Sequence, residues 1–224
     1  VIRVREWGRA EYLQTWQAMR EFTERREATT PDELWVVEHS PVFTLGQTGR
    51  REHLHATDAI PVVATDRGGQ VTYHGPGQVV VYTLIDLRRA GFFVRELVYR
   101  IEQSVIQALE SLDVAGERVG GAPGVYVPLP WAGVDPVGGQ PADPRFCGKA
   151  KIAALGIKVH RGSSYHGVAL NVAMDLAPFS SIDPCGYRGL SAIDLATLGV
   201  QIEWHAAAAR LVERLQAHLS VGSH

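Results

Sequence analysis

A mixed α/β or α+β fold, a β-sheet with helices packed against it, is what this sequence predicts, and three observations carry it. Segments with helical periodicity open, interrupt and close the chain. Short runs rich in β-branched residues lie between them. The strand-like runs outnumber the helical ones and are interspersed with them, which argues for one sheet covered by helices.

The first helix is expected in 9-RAEYLQTWQAMREFTERRE-27, where Leu13, Trp16, Met19 and Thr23 recur at helical spacing between charges. Strand-like runs follow at 34-LWVVEH-39, 60-IPVVAT-65 and 78-QVVVYTLIDL-87. The clearest helix is 95-RELVYRIEQSVIQALESL-112, with Val98, Ile101, Val105, Leu109 and Leu112 on one face. A short strand is expected at 124-GVYV-127. Next, 151-KIAALGIKVHRG-162 and 165-YHGVALNVAM-174 read as a hairpin of half-buried strands joined through Gly162, Ser163 and Ser164. Ala208, Leu211, Leu215 and Leu219 form one face of a closing helix in 203-EWHAAAARLVERLQAHL-219.

One stretch fits neither pattern. The segment 128-PLPWAGVDPVGGQPADPR-145 holds five prolines and three glycines. It is expected as an irregular surface excursion over about residues 128–147.

At 224 residues the chain is most simply one domain, 1–224, large enough to bury a core without staples. A net charge of −2 argues against a nucleic-acid partner and leaves room for an acidic protein partner with a small docking patch. The two cysteines, Cys147 and Cys185, make no disulfide framework. There is neither a run long enough to cross a bilayer nor a signal-peptide core, so the expectation is a cytoplasmic protein without membrane contact.

Cys185 is the candidate nucleophile. A lone cysteine is commonly just a small buried apolar residue. In 182-IDPCGYRG-189, however, a proline precedes it and a glycine follows, which puts the thiol in a turn where it can be exposed and aimed. Cys147, in 145-RFCGKAK-151, looks incidental. A thiol attacks at neutral pH only with a base or cation beside it. The candidates are Lys149, Lys151, Lys158, His74, His160 and His166, and spacing does not choose among them. His53, His55, His160 and His166 lack the spacing of a zinc motif, so no metal is expected.

The stretch 67-RGGQVTYHGPGQ-78 carries four glycines around one histidine. It matches neither nucleotide-binding glycine motif. Glycine at this density suggests that something other than protein approaches the backbone, as in a groove for a slim apolar ligand. A tight hairpin needing positive φ would account for two or three of the glycines.

Taken together, 38-EHSPVFTLGQ-47, 67-RGGQVTYHGPGQVVVYTLIDL-87, 151-KIAALGIKV-159, 166-HGVALNV-172 and 184-PCGYRGLS-191 resemble the octanoyltransferases of lipoate biosynthesis. The matches occur in order from about residue 34 to 191. The resemblance implies the fold of the biotin and lipoate protein ligase catalytic domains. It implies transfer of an octanoyl group from octanoyl-acyl carrier protein to a lysine of a lipoyl domain, with no cofactor. The acceptors it implies are the lipoyl domains of 2-oxo acid dehydrogenase E2 subunits and the glycine cleavage H protein, and a monomer is the simplest expectation.

Residue by residue, the resemblance maps the acyl-carrying cysteine onto Cys185 and the active-site lysine onto Lys151. It maps substrate contacts onto Arg67, Gly68, Gly69, Gln70, Val71, Thr72, Tyr73 and His74. Further contacts fall on Ala154, Leu155 and Gly156 and on Gly167, Val168 and Ala169. On this reading Gly68 and Gly69 make room for the eight-carbon chain. The Lys151 ammonium favours the Cys185 thiolate, backbone N–H groups at the Cys185–Gly186 turn hold the oxyanion, and Lys151 or His74 deprotonates the acceptor lysine. The excursion before Lys151 is longer than this family leads one to expect. Two rival readings remain: an ATP-dependent lipoate or biotin ligase on the same fold, and a binding protein that has kept the groove without catalysis.

Overall fold

The computed structural model of the chain describes residues 2–55, 59–129 and 142–220. In chain order the elements are β1 (Arg3–Ala10), α1 (Tyr12–Glu24), β2 (Glu33–His39), β3 (Val42–Leu45), β4 (Val62–Ala64), β5 (Val71–His74) and β6 (Gln78–Leu84). They continue with α2 (Leu87–Ala90), α3 (Val94–Glu110), β7 (Glu117–Val119), β8 (Ala122–Pro128), β9 (Lys149–His160), β10 (Ser163–Asn171), β11 (Ser191–Ala192) and α4 (Trp204–Leu219). The larger sheet has the order β1-β2-β6-β10-β9-β8-β7, with β11 beside β9, and a smaller sheet has the order β4-β3-β5. In the larger sheet β1 runs parallel to β2 and β11 parallel to β9, and the other neighbours are antiparallel.

The β6 run is apolar without alternation because the sheet is covered on both faces. Val79 and Val81 pack with Ile101 and Val105 of α3 and with Leu211 and Leu215 of α4. Val80, Tyr82 and Leu84 point the other way, toward Trp35, Val37 and Met19 of α1. Each fully buried leucine or valine here contributes about 1.5–3 kcal/mol.

The closing helix buries the face read from sequence: Ala208, Leu211, Leu215 and Leu219. In α3, Ile101, Val105 and Leu109 are buried as read, but Leu97 rather than Val98 begins the buried stripe. In α1 the buried face is Tyr12, Thr15, Met19 and Thr23, and Leu13 is 57% exposed. The Thr15 and Thr23 hydroxyls donate to the carbonyls of Tyr12 and Met19, at 3.0 and 2.8 Å, so these threonines are satisfied within the helix and can be buried. Hydropathy alone misplaces the face by one residue.

Strand β1 was not legible in the sequence. Its side chains are mostly exposed and charged, and it is held by backbone pairing to β2, with Arg9 bonded to Glu38 at 2.8 Å. The β9–β10 hairpin turns on Arg161 (φ 50°) and Gly162 (φ 86°), while Ser163 and Ser164 already belong to β10.

Of the excursion expected at 128–147, residues 130–141 lie outside the described residues. The rest differs from a purely irregular surface segment. Pro144–Phe146 forms a helical turn, and Phe146 is fully buried between Tyr126 and Tyr187, with ring centroids 5.4 and 4.8 Å away.

Candidate active site

Cys185 sits in a single helical turn, Pro184–Gly186, with φ 58° and ψ 17°. A non-glycine residue in this left-handed region costs about 1–2 kcal/mol, and local bonds hold it there. The Gly186 N–H donates to Asp183 O at 2.8 Å and the Tyr187 N–H to Pro184 O at 3.1 Å. His53 Nδ1 and His55 Nε2 lie 3.0 and 3.2 Å from the Asp183 carboxylate. Burial raises the Asp183 carboxyl pKa, but the bonds from His53 and His55 outweigh it and hold the group below the usual carboxylate range.

Lys151 meets this thiol. Its Nζ lies 2.8 Å from Cys185 Sγ and 3.1 Å from Pro123 O, and 5.0 Å from the centroid of the Tyr126 ring. The approach follows from strand pairing: β11, just after the cysteine turn, runs beside β9 with Ala192 opposite Lys151. Gly124 on β8 leaves the space the lysine crosses, since a Cβ there would stand 2.7 Å from Lys151 Cε. Burial opposes the charge on Lys151, but the facing Cys185 and Tyr126 outweigh it and keep the ammonium above its ordinary range. The other cations considered lie elsewhere. Lys149 pairs with Glu117 at 3.0 Å, and Lys158 and His160 line a separate hollow beside Arg20. Cys147 is free and exposed.

Two clefts meet at Cys185. The first is a narrow cleft, partly open to solvent, lined by Arg67, Gly69, Gln70, Val71, Thr72, His74, Ala154, Leu155, Gly156, Gly167, Val168, Ala169 and Cys185. The second, about 900 Å³ and open, shares Gly69, Gln70, Leu155, Gly156 and Cys185 with it and adds Gly68, Val94, Val98 and Pro123. Of the residues mapped as substrate contacts, Tyr73 reaches neither cleft. It packs on Phe43 and Phe179, each ring centroid 5.5 Å away.

The floor of the first cleft is built from small side chains by register. Ala154 on β9 faces Ala169 on β10, which faces Val80 on β6. Two residues along, Gly156 faces Gly167, which faces Tyr82. Directly opposed residues share a face of the sheet.

The glycine-rich run answers to protein more than to ligand. A Cβ on Gly77 (φ +83°) would stand 1.9 Å from Ala173 O, and one on Gly68 would stand 3.0 Å from Ile157 O. The density of glycine therefore reflects close backbone crossings, and Gly69, on both clefts, is the least crowded, an added Cβ meeting nothing nearer than Arg67 Nη1 at 3.5 Å. Arg67 is a buried cation that ties this loop together. Its guanidinium donates to Thr44 O, Gln70 O and Gly68 O at 2.6, 2.7 and 2.9 Å.

Several lining residues escaped the sequence reading. Tyr12, Val80 and Tyr82 line the first cleft, and so does His166, weighed from sequence as a partner for the thiol and as a metal ligand but not as a cleft residue. Tyr12 stacks on His74 with centroids 5.9 Å apart, and His39 Nε2 lies 2.6 Å from the Tyr82 hydroxyl. Burial lowers the pKa of His39 to about 4, and burial with the neighbouring His39 lowers that of His74 to about 3. Both imidazoles are neutral at pH 7, and His74 Nδ1 is engaged by Gln78 Oε1 at 2.7 Å. His74 is thus a poor acceptor for a proton. Burial likewise lowers the pKa of His166, whose Nε2 lies 2.9 Å from Asp66 Oδ1 and whose buried Nδ1 has no partner among the described residues.

The oxyanion donors expected at the cysteine turn are partly spent, because the Gly186 N–H is taken by Asp183 O at 2.8 Å. The Gln70 side chain lies against that turn instead. A Cβ on Gly186 would stand 3.0 Å from Gln70 Cδ, and Gln70 Oε1 is buried without a partner among the described residues. Among the described residues, no helix is long and apolar enough to cross a membrane and no group of three or more His, Cys, Asp or Glu is arranged to hold a metal.

Comparison with known proteins gives this geometry a family. Residues 11–216 match the family described as the lipoyl protein ligase A/B catalytic domain. An octanoyltransferase of Variovorax paradoxus is 58% identical over 215 residues, covering 95% of either chain. Among solved structures, the bipartite lipoate protein ligase of Thermoplasma acidophilum superposes with a TM-score of 0.72 at 14% identity, over 97% of this chain and 83% of that one. Biotin protein ligase of Aquifex aeolicus, with biotin and ATP, gives 0.55 at 11% identity, over 97% of this chain and 69% of that one. At such identities these structures speak for the fold alone, which is the α+β fold of lipoate and biotin ligases expected from sequence. The chain belongs to the lipoyl protein ligase A/B catalytic-domain family and, within it, to the octanoyltransferases, which are acyltransferases.

Proposed function

We propose that the chain moves an octanoyl group from octanoyl-acyl carrier protein to a specific lysine of a lipoyl domain, through a thioester on Cys185. The observation that carries this is the 2.8 Å contact of the Lys151 ammonium with Sγ where the two clefts join. The first cleft takes the acyl chain. The second admits the thioester arm of the donor and later the acceptor lysine. Residues 1–224 act as one catalytic domain, a monomer in the cytoplasm, and the acceptors are lipoyl domains of 2-oxo acid dehydrogenase E2 subunits and the glycine cleavage H protein.

The Cys185 thiolate attacks the donor thioester carbon. The tetrahedral oxyanion forms beside Gln70 and the buried Arg67 guanidinium, groups held in place before the reaction and so able to stabilise it without reorganising. The bond to the donor sulfur breaks, and that thiolate takes a proton from Lys151. With the thiolate converted to a neutral thioester, burial is the main influence left on Lys151, and it favours the free amine. Neutral Lys151 then accepts a proton from the acceptor ammonium. The amine attacks the Cys185 thioester, the C–S bond breaks, the second proton leaves to solvent, and the thiolate re-forms beside the Lys151 ammonium. No ATP is consumed, because the donor thioester is already activated.

The test is the intact mass of the protein after mixing with octanoyl-acyl carrier protein. A hydroxylamine-labile octanoyl adduct, present in wild type and absent in Cys185→Ala, is the expected result. Modification of an acceptor lipoyl domain without any enzyme adduct would refute the covalent route. Modification only with free octanoate and ATP would make the protein a ligase.

A further inference from the structure

We infer that Tyr82, with Val80 beside it, is the stop that measures the acyl chain, so that the width of the β9–β10 floor sets the preference for eight carbons. This rests on the octanoyl-transfer reading above. Across the sheet from the cysteine side, the floor reads Gly156, Gly167, Tyr82 in one row and Ala154, Ala169, Val80 in the next. In the alanine row the first two side chains stop at a methyl group; in the glycine row backbone closes in, since a Cβ on Gly156 would stand 2.8 Å from Gly68 O and one on Gly167 2.0 Å from Val81 O. At β6 the Tyr82 ring and the branched Val80 side chain close the end of the cleft.

The span agrees with the chain. Two inter-strand spacings, from β9 to β6, amount to about 9.5 Å. An extended chain advances about 3.5 Å for every three bonds. The seven bonds from the carbonyl carbon to the last methyl of an octanoyl group therefore cover about 8 Å, and the eleven of a dodecanoyl group about 13 Å. Eight carbons end at the wall; twelve must displace it.

The wall is braced against displacement. The Tyr82 hydroxyl is 2.6 Å from His39 Nε2, and His39 Nδ1 is 2.9 Å from Ala10 O. Tyr12 closes over the same end, its ring 5.3 Å from that of His39 and 5.9 Å from that of His74. Tyr82 and His39 are buried, at 3% and 0% exposure, so neither can swing out to solvent. Close-packed interiors yield little to extra methylenes.

The experiment measures Cys185 acylation rates with carrier proteins bearing six, eight, ten and twelve carbons, for wild type and three variants. Wild type is expected to prefer eight carbons to twelve by about 100-fold. Tyr82→Leu should raise the twelve-to-eight ratio about tenfold or more, whereas Tyr82→Phe, which keeps the ring but loses its bond to His39, should raise it by less. Ala169→Val, which raises the floor and does not depend on Tyr82 folding effects, should move the optimum to six carbons. The inference is overturned if wild type loads all four lengths alike, or if Tyr82→Leu and Ala169→Val both keep the wild-type ratios. Loading without length preference would sink the ruler and leave octanoyl transfer standing. No loading from any donor would sink octanoyl transfer and the ruler with it.

Discussion

Acidification from pH 6.5 toward 4 should destabilise this protein through two buried histidines. His39 and His74 are buried, bonded within the fold, and neutral, with pKa values lowered to about 4 and about 3 from an ordinary 6.5. An unfolded chain protonates both below pH 6.5; the folded one does not. The unfolded state then binds more protons, so stability is fully present above pH 6.5 and is lost as pH falls toward the folded values. At pH 4.5 each histidine costs roughly 2–3 kcal/mol, and the pair roughly 5 kcal/mol, at 1.36 kcal/mol per pH unit for each proton. That is a large share of the ~5–15 kcal/mol that holds a typical domain. Burial lowers the pKa of His166 as well, which acts in the same direction. Asp66 stays out of this window. Burial raises its pKa, but bonds from His166, Tyr165 and Trp16 outweigh that and hold it well below the carboxylate range, so its contribution is lost only at more acid pH. Urea denaturation at pH 7.0, 5.5 and 4.5 measures the effect, and His39→Gln should remove about one proton, ~1.4 kcal/mol per pH unit, from the slope. A stability flat to within about 1 kcal/mol between pH 6.5 and 4.5 would refute the claim that these imidazoles stay neutral in the fold.

Two further outcomes test the site and the loop. Gln70→Ala should lower the rate of Cys185 acylation about 100-fold with little change in donor KM, as removal of an oxyanion donor does; an unchanged rate would leave stabilisation to backbone groups and Arg67. Gly77→Ala, which forces a positive φ and a 1.9 Å contact with Ala173 O, should cost about 3 kcal/mol in urea denaturation. The fraction that folds should keep its full transfer rate, and a rate loss without a stability loss would return Gly77 to a ligand-facing role.

Much of the fold was legible because the helices bury one stripe each while the central strands are buried on both faces. The stripe of α4 announces the face that meets the core, and the β-branched runs of β2, β6, β9 and β10 announce strands. Where legibility failed, the reason was local. Buried Thr15 and Thr23 satisfy their hydroxyls inside α1 and so pass for polar surface. Strand β1 is an exposed edge, held by backbone bonds that leave no trace in side-chain pattern. Phe146 sits in a segment whose prolines and glycines suggested only surface.

At the site, the amino-acid sequence by itself picked out Cys185 as the candidate nucleophile, the turn that displays it, and, by resemblance, the lysine to look for beside it. Only the tertiary structure decided that the pair meet. Lys151 and Cys185 are 34 residues apart, and they approach because β11 lies parallel to β9, a long-range pairing that no local pattern encodes. The same holds for the cleft. Gly156, Gly167 and Tyr82 look unrelated along the chain and form one row only once three strands share a register. Side-chain chemistry is written in the residue; distance and depth are written in the strand pairing that only the folded chain possesses.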